Sequence, residues 1–320
     1  MLGSRGILRI GGLVGSGTSS ILVLMSDGRG GGSGDLFKGR RTMWNEGKSE
    51  SGDAKGGESA TLYGNFSSTQ WQEGLSIPSG KVPHALIVHG DYEPTENLRR
   101  WERLLGPEAV RPQWNVVVGK HEGRRVGFAN VIGGPMAAMA VHPCCVMGAE
   151  LVVQTGYFGG LSQEVGYGDV LIVDSVRAGC GVAEEYAPGQ VRFDADPKFV
   201  EAARLYCERN RWPHVVGEVR STDAIFRETR QMVEKWEDDG QIGIDMESSA
   251  TFAVASTFER PTIGLLNLSD HLLRGDHLMN YDDERLELQQ RVDERIRELT
   301  LHLVSESGED RKTAESLESE

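Results

Sequence analysis

Two carboxylates one residue apart, Asp245 and Glu247, flank Met246 at the head of the small and apolar stretch SSATFAVA (248–255). Acids at a helix start complement the helix dipole, and for an isolated Asp-x-Glu that is the simplest reading. Other polar or glycine positions fall where apolar runs end: Gly90-Asp91, Gly133-Gly134, Gly156 to Gly160, Ser221-Thr222-Asp223 and Ser269-Asp270. Each alone is an ordinary turn signal. Together they suggest one crevice, because ligands of open α/β sheets bind beyond the carboxyl ends of the strands. The four cysteines (Cys144, Cys145, Cys180, Cys207) have neither C-x-x-C spacing nor a disulfide pattern. No metal site and no cofactor is expected, and a reducing, cytoplasmic compartment suits such a chain. The segment GGLVGSGT (11–18) imitates a phosphate loop but lacks its lysine and a preceding strand.

The elements that would position these groups are six apolar, β-branched runs: 84–90, 125–134, 150–160, 169–177, 215–226 and 261–270. Most are continuously hydrophobic rather than alternating, as strands covered on both faces are. Helices are predicted between them, from Thr95, from the Asp196-Pro197 start signal, after Asp245, and from about Asp283, where Val292, Ile296, Leu299 and Leu303 repeat at three and four. Alternation of this kind predicts a single α/β domain over 81–304.

Residues 1–80 are rich in Gly and Ser without helical or strand period and read as a disordered, linker or targeting extension. Its stretch from Ile10 to Met25 is too short and too Gly/Ser-rich for a membrane span. It is either a weak targeting segment or sequence upstream of a start near Met43. Residues 305–320 read as a disordered acidic tail. The net charge of −14 argues against nucleic acid or an acidic membrane surface as partner.

The motifs GD (90–91), GGP (133–135), TGYFGGL (155–161), GDVLIVDSVR (168–177), DMESSA (245–250) and LSDH (268–271) occur in the order found in the nucleoside phosphorylase superfamily, which this chain resembles over 81–304. That superfamily includes uridine phosphorylases, hexameric purine nucleoside phosphorylases and methylthioadenosine nucleosidases. The resemblance implies a three-layer α/β/α sandwich around a mixed sheet, a small-molecule nucleoside as substrate, and a homodimer or homohexamer. It also implies cleavage of an N-glycosidic bond through an oxocarbenium-like transition state, which needs a grip on ribose, a proton for the base and a nucleophile behind the anomeric carbon. By that resemblance Glu247 accepts from the ribose hydroxyls, Met246 packs on the sugar, and Asp245 is structural. Asp270, following Ser269, protonates or hydrogen-bonds a purine N7, and Arg285 assists it. Gly156 belongs to the same strand-end site, and Phe226 is a candidate to stack on the base or, alternatively, a core aromatic. The Gln-x-Arg pair with which uridine phosphorylases read uracil is absent, its positions being Thr229 and Gln231.

The pattern breaks at the phosphate site. Gly90 remains, but Pro94 stands where the first arginine belongs, Gln154 replaces the second, Tyr157 replaces a small hydroxyl residue, and the third arginine position falls near Trp114. Charge-assisted hydrogen bonds contribute roughly 1.5–3 kcal/mol each, so losing three weakens phosphate binding by several decades at about 1.4 kcal/mol per decade. Arg99 and Arg100 are the nearest substitutes. The nucleosidases of the family place a glutamate after the same strand to activate water, and Glu93 or Glu96 stands near that position, with an acidic first helical turn as the alternative. Three readings follow: a purine nucleosidase, a phosphorylase using inorganic phosphate as co-substrate, and a non-catalytic nucleoside-binding protein.

Overall fold

The structure is a computed structural model that describes residues 63–318 apart from Asn280, with side chains up to Gly308. The chain divides into two units, Met1–Gly64 and Asn65–Glu320, and the second carries every element below. In chain order these are α1 (Ser68–Gly74), β1 (Ala85–Gly90), α2 (Pro94–Leu104), β2 (Val110–Gln113), β3 (Val116–His121), β4 (Arg124–Val131), α3 (Gly133–Val146), β5 (Leu151–Gly160), β6 (Val170–Arg177), α4 (Gly181–Tyr186), β7 (Arg192–Asp194), α5 (Pro197–Asn210), β8 (His214–Ser221), α6 (Arg230–Asp238), β9 (Gly243–Asp245), α7 (Ser248–Thr257), β10 (Thr262–His271) and α8 (Asp283–Glu318).

All six apolar runs become strands, and their continuity has the expected cause. Leu86 and Val88 of β1 join one apolar cluster with α3 and α7, through Ala137, Val141, Ala250 and Val254. Ala85 and Ile87 join a second with α2, α5 and α8, through Leu98, Trp101, Phe199, Val292 and Ile296. Successive side chains of a strand point to opposite faces, so a sheet with helices on both sides demands apolar residues at every position. The three-layer architecture is thereby realised.

The sheet is mixed. Strands β4, β1, β5 and β10 are parallel neighbours, β10 pairs antiparallel with β6, and β6, β8 and β9 continue in parallel. Strand β9 then meets the far end of β5 at Gly159 and Gly160, so this half of the sheet curls back on itself. The β2–β3 hairpin extends the other edge beyond β4.

Two boundary expectations need correction. Ser67–Gln70 forms a reciprocal capping box that starts α1 inside the supposed extension, and Trp71, Leu75 and buried Ile77 pack on the α3 side of the core. Residues 1–62, with the targeting segment and the phosphate-loop imitation, lie outside the described residues. At the other end α8 continues through Glu318 instead of ending in a disordered tail at 305. Ser305 Oγ donates to Glu122 Oε2 at 2.7 Å and Arg124 Nη2 to Ser307 Oγ at 3.2 Å, which fixes the turn where the tail was expected to begin. The Glu, Lys, Arg and Ala residues that follow are good helix formers. No helix among the described residues is long and apolar enough to cross a membrane.

Candidate active site

Glu247 sits in the backbone break between β9 and α7, as the residue preceding the first helical turn, and its side chain makes no cap bond to its own helix. It turns instead toward α3, where the Gly133 amide donates to its Oε1 at 2.5 Å. Gly133 holds φ at +73°, a conformation glycine adopts without strain, so this amide and the positive end of the α3 dipole aim at one carboxylate. Burial pushes Glu247 well above the usual carboxylate range, and the charges of Asp245 and Asp91 push the same way against the amides of Gly133 and Met246. Met246 is half-buried beside it.

Asp245 is tied into the frame beneath Glu247. It accepts from Ser221 Oγ at 2.6 Å and from the Ser248 amide at 3.1 Å, while Ser221 Oγ accepts from the Ser249 amide at 2.8 Å. This knot ties the end of β8 to the start of α7 and fixes where Glu247 emerges.

Gly90 explains its own identity. A Cβ there would lie 2.5 Å from Glu247 Oε2 and 2.8 Å from its Cδ. Gly156, at φ +141°, lies so close that its Cβ would stand 2.7 Å from the Gly90 carbonyl oxygen. Gly90→Ala is expected to displace the Glu247 carboxylate, lowering kcat/KM by about tenfold or more at a folding cost of about 1–3 kcal/mol. Paired kinetics and denaturant melts check it, and an unchanged kcat/KM would show that the displacement is harmless.

Asp270 emerges from β10, whose register against β5 shifts between Leu268 and Asp270. Such an irregularity re-aims side chains at a strand end. Asp270 is buried, and Ser269 Oγ lies 2.5 Å from its Oδ1 and 2.9 Å from the Phe158 carbonyl. Burial raises its pKa, with Ser269 and Arg285 opposing. The helix-cap alternative for Ser269 and Asp270 fails because both lie within a strand, and the 3₁₀ turn that follows has no side-chain cap. Arg285, near the start of α8, donates to the Ser269 carbonyl, and its guanidinium lies 4.0 Å from the Tyr281 ring centroid and 4.8 Å from that of Tyr167. Two aromatic faces thus hold a cation beside the Asp270 strand end.

Phe226 is not a core aromatic: it stands 88% exposed in the 3₁₀ turn Ile225–Arg227 after β8. The same segment holds Glu228, which the sequence reading passed over. Burial, then the charge of Asp270, pushes its carboxyl up to about 7. Tyr92 was passed over too; it is 59% exposed, with its hydroxyl raised by burial and by the charges of Glu247 and Asp91.

Around the former phosphate site the side chains have other partners. Pro94 opens α2, where a missing amide hydrogen costs nothing. Gln154 is fully buried, accepting from Thr251 Oγ1 at 2.6 Å, and Tyr157 donates to Asp293 Oδ2 at 2.8 Å. The candidates for water activation and phosphate rescue are similarly engaged. Glu93 caps α2 by accepting from the Thr95 amide at 2.9 Å. Glu96 lies 3.1 Å from Arg100 and 3.9 Å from Arg99 along the helix surface. Both glutamates thus follow the acidic-first-turn alternative, and both arginines are turned to Glu96. Trp114 is 68% exposed on the β2–β3 turn.

A carboxylate that the sequence reading noted only as part of a motif stands closer. Asp91 follows Gly90 directly, accepting from Asn97 Nδ2 at 2.7 Å and from the Glu93 amide at 3.2 Å, while its carbonyl accepts from Asn130 Nδ2 at 2.7 Å. Burial pushes its pKa up, but His89, Asn97 and the Glu93 amide together hold it below the ordinary range.

The chain is similar in sequence and fold to several nucleoside phosphorylases. Guanosine phosphorylase from Halorubrum lacusprofundi is 25% identical over 240 residues, covering 73% of this chain and 98% of the relative. A purine nucleoside phosphorylase of DeoD type 2 from Vibrio vulnificus is 27% identical over 176 residues, covering 52% and 72%. The crystal structure of uridine phosphorylase from Vibrio fischeri ES114 superposes with a TM-score of 0.64 at 19% identity, covering 72% of this chain and 96% of that one, a likeness of fold. The family model described as the phosphorylase superfamily matches residues 84–305, which takes in every strand described above, helices α2 to α7 and the first part of α8. With the fold and this match in agreement, the chain belongs to the phosphorylase superfamily.

Proposed function

We propose that this protein is an enzyme that cleaves the N-glycosidic bond of a purine nucleoside, with water as the acceptor of the ribosyl group. Glu247 would take the ribose hydroxyls: an ionised carboxylate has acceptor capacity for two neighbouring hydroxyls, and its charge favours a cationic sugar. Asp270 would supply the proton to the base, a role that its burial and raised pKa support. The observation that carries hydrolysis is the replacement of the arginine positions by Pro94 and by Gln154, the latter buried with its carbonyl bound to Thr251. The purine preference rests on Asp270 and on Thr229 and Gln231 standing where a uracil-reading pair would be.

A second reading, phosphorolysis, is favoured by the names of the relatives, which are phosphorylases. Incubating the protein with adenosine, inosine and guanosine in phosphate-free buffer, and again with inorganic phosphate, separates the two. Free base and free ribose without phosphate is the expected result. Ribose 1-phosphate formed only with phosphate would overturn hydrolysis. Tight nucleoside binding without turnover would leave the non-catalytic reading.

A further inference from the structure

On the face of the sheet turned away from α3 and α7, three arginines stand side by side on three neighbouring strands. Arg177 of β6 is paired in register with Arg192 of β7 and with Arg220 of β8. Residues directly opposite one another on adjacent strands present their side chains to one face. The adjoining row, Phe193, Val176 and Val219, faces the other way and lies in the apolar cluster with α3 and α7. Like charges in directly opposed positions destabilise a sheet, so a row of three calls for countercharge.

The carboxylates nearby are already engaged. Glu218, two residues before Arg220 and on the same face, lies 3.3 Å from Arg177 Nε and 3.4 Å from Arg192 Nη1, and Gln241 Nε2 donates to it at 2.7 Å. Arg192 Nε donates to Asp194 at 3.0 Å, and Lys235 donates to Asp239 at 2.6 Å. Asp174 accepts from Ser175 Oγ at 2.8 Å. Arg220 is left over. It is half-buried, with its guanidinium 5.4 Å from the Trp236 ring centroid of α6, and among the described residues it has no hydrogen-bond or ion-pair partner. Burial and the charge of Arg177 act against its cation, while the charges of Asp239 and Glu218 favour it. Only the Nε of Arg177 makes a hydrogen bond, so its two terminal nitrogens are also without an acceptor.

We propose that Arg177 and Arg220 form a binding site for a phosphate group, with Arg192 at its rim, separate from the strand-end crevice that holds Glu247 and Asp270. Two planar forks on strands about 4.8 Å apart suit a tetrahedral oxyanion, which accepts from both at once. A dianion there also offsets the repulsion along the row. A carboxylate ligand suits it less well, with fewer oxygens and half the charge. The separation from the crevice follows from strand alternation. Ser221, the next residue, turns the other way, donating to Asp245 and accepting from the Ser249 amide. Neither Glu247 nor Asp270 is among the charges that act on Arg220. The site is therefore independent of whether water or phosphate accepts the ribosyl group. Its ligand is either inorganic phosphate or the phosphate group of a phosphomonoester, which present the same chemistry to the two forks.

The test is a set of thermal melts of the full chain in sodium phosphate, in glycerol 3-phosphate and in sodium chloride at matched ionic strength. The wild-type Tm is expected to rise saturably with the phosphate-bearing ion, by roughly 3–6 °C at about ten times its dissociation constant, and to rise less in chloride. Arg177→Gln and Arg220→Gln should each weaken binding roughly ten- to hundredfold, the worth of one charge-assisted hydrogen bond. Arg220→Lys, which keeps the charge but loses the fork, should fall between wild type and Arg220→Gln. Tighter binding of glycerol 3-phosphate than of phosphate assigns the site to phosphomonoesters and the reverse to the free ion; both uphold it. A wild-type Tm that follows ionic strength alone, alike in all three salts, would overturn the site. A phosphate response of full size in both glutamine variants would overturn it as well, because the anion would then be bound elsewhere, the nucleoside crevice included.

Discussion

Replacing Glu247 with glutamine is expected to lower kcat/KM by roughly a hundredfold to ten-thousandfold, from two charge-assisted hydrogen bonds of about 1.5–3 kcal/mol each converted at about 1.4 kcal/mol per decade. The carboxamide keeps the shape and can still accept from the Gly133 amide, so the loss isolates charge. That charge matters most in the transition state. A buried carboxylate with few donors is poorly satisfied in the free enzyme, as its raised pKa records. A sugar that becomes cationic between its hydroxyls supplies the missing countercharge, so the interaction strengthens as the bond breaks, and only such interactions accelerate the chemical step. The expected signature is a fall mainly in kcat; a change confined to KM would mean that Glu247 only binds ground-state sugar.

The same substitution has a stability consequence of known sign. Because the folded-state pKa of Glu247 is raised, the native protein holds this proton more tightly than the unfolded chain does. Its stability contribution is complete below the unfolded value of about 4.3 and is lost as pH rises through the folded pKa. Glu247→Gln removes that loss, so the variant should melt above the wild type by a margin that widens with pH. Melts between acid and mildly alkaline buffer test this, and a margin independent of pH would contradict the burial argument. Asp245 has the same direction of shift, for the same first cause, and its charge acts on Glu247, so the widening margin reports the titration of the two carboxylates together.

How much of this was readable from residues alone depends on where each signal lives. The six central strands announce themselves because two-sided burial forces continuous Val, Ile and Leu runs. Strands β2, β3, β7 and β9 do not: they are short or lie at the periphery, and β9 has only three residues. Helix α3 was hidden in a run read as strand through Gly134, because a helix packed between the sheet and α7 shows no amphipathic period and contains Pro143. For the site, Glu247 and Asp270 were legible by motif, since their backbone settings, a strand-to-helix break and a strand end, are local. The candidates for activating water fared differently. Glu93 and Glu96 have the right chemistry at nearly the right place in sequence, but a helix start spends one on a cap and the other on surface arginines. Arg177, Arg192 and Arg220 are scattered in sequence, and only the register of β6, β7 and β8 joins them. Glu228 was overlooked for a like reason, its relation to Asp270 existing only across the crevice.

Asp270→Asn is expected to reduce kcat by about a hundredfold to ten-thousandfold, the usual worth of a general acid, and the size of the loss should depend on the leaving group. A purine leaves as an anion unless it is protonated, so natural nucleosides should show the full effect. A riboside of p-nitrophenol, which departs without a proton, should show little. Equal losses on both would mean that the side chain shapes the pocket rather than giving a proton. The pH dependence gives an independent check, with opposite signs for the two carboxylates. With the roles proposed for them, turnover requires Glu247 ionised and Asp270 protonated, and is therefore expected to rise and then fall with pH. Burial raises Asp270, which keeps its proton available further toward neutral pH than an exposed aspartate would allow, and Arg285 at its strand end limits how far. Asparagine has no proton to lose in this range, so the variant should lack the alkaline fall and keep only the rise with pH as Glu247 ionises. Glu247→Gln should do the reverse, keeping only the fall as Asp270 gives up its proton. If both variants retained the wild-type bell, neither carboxylate would be the group whose titration controls the reaction, and the assignment of acid and ribose acceptor to this pair would have to be abandoned.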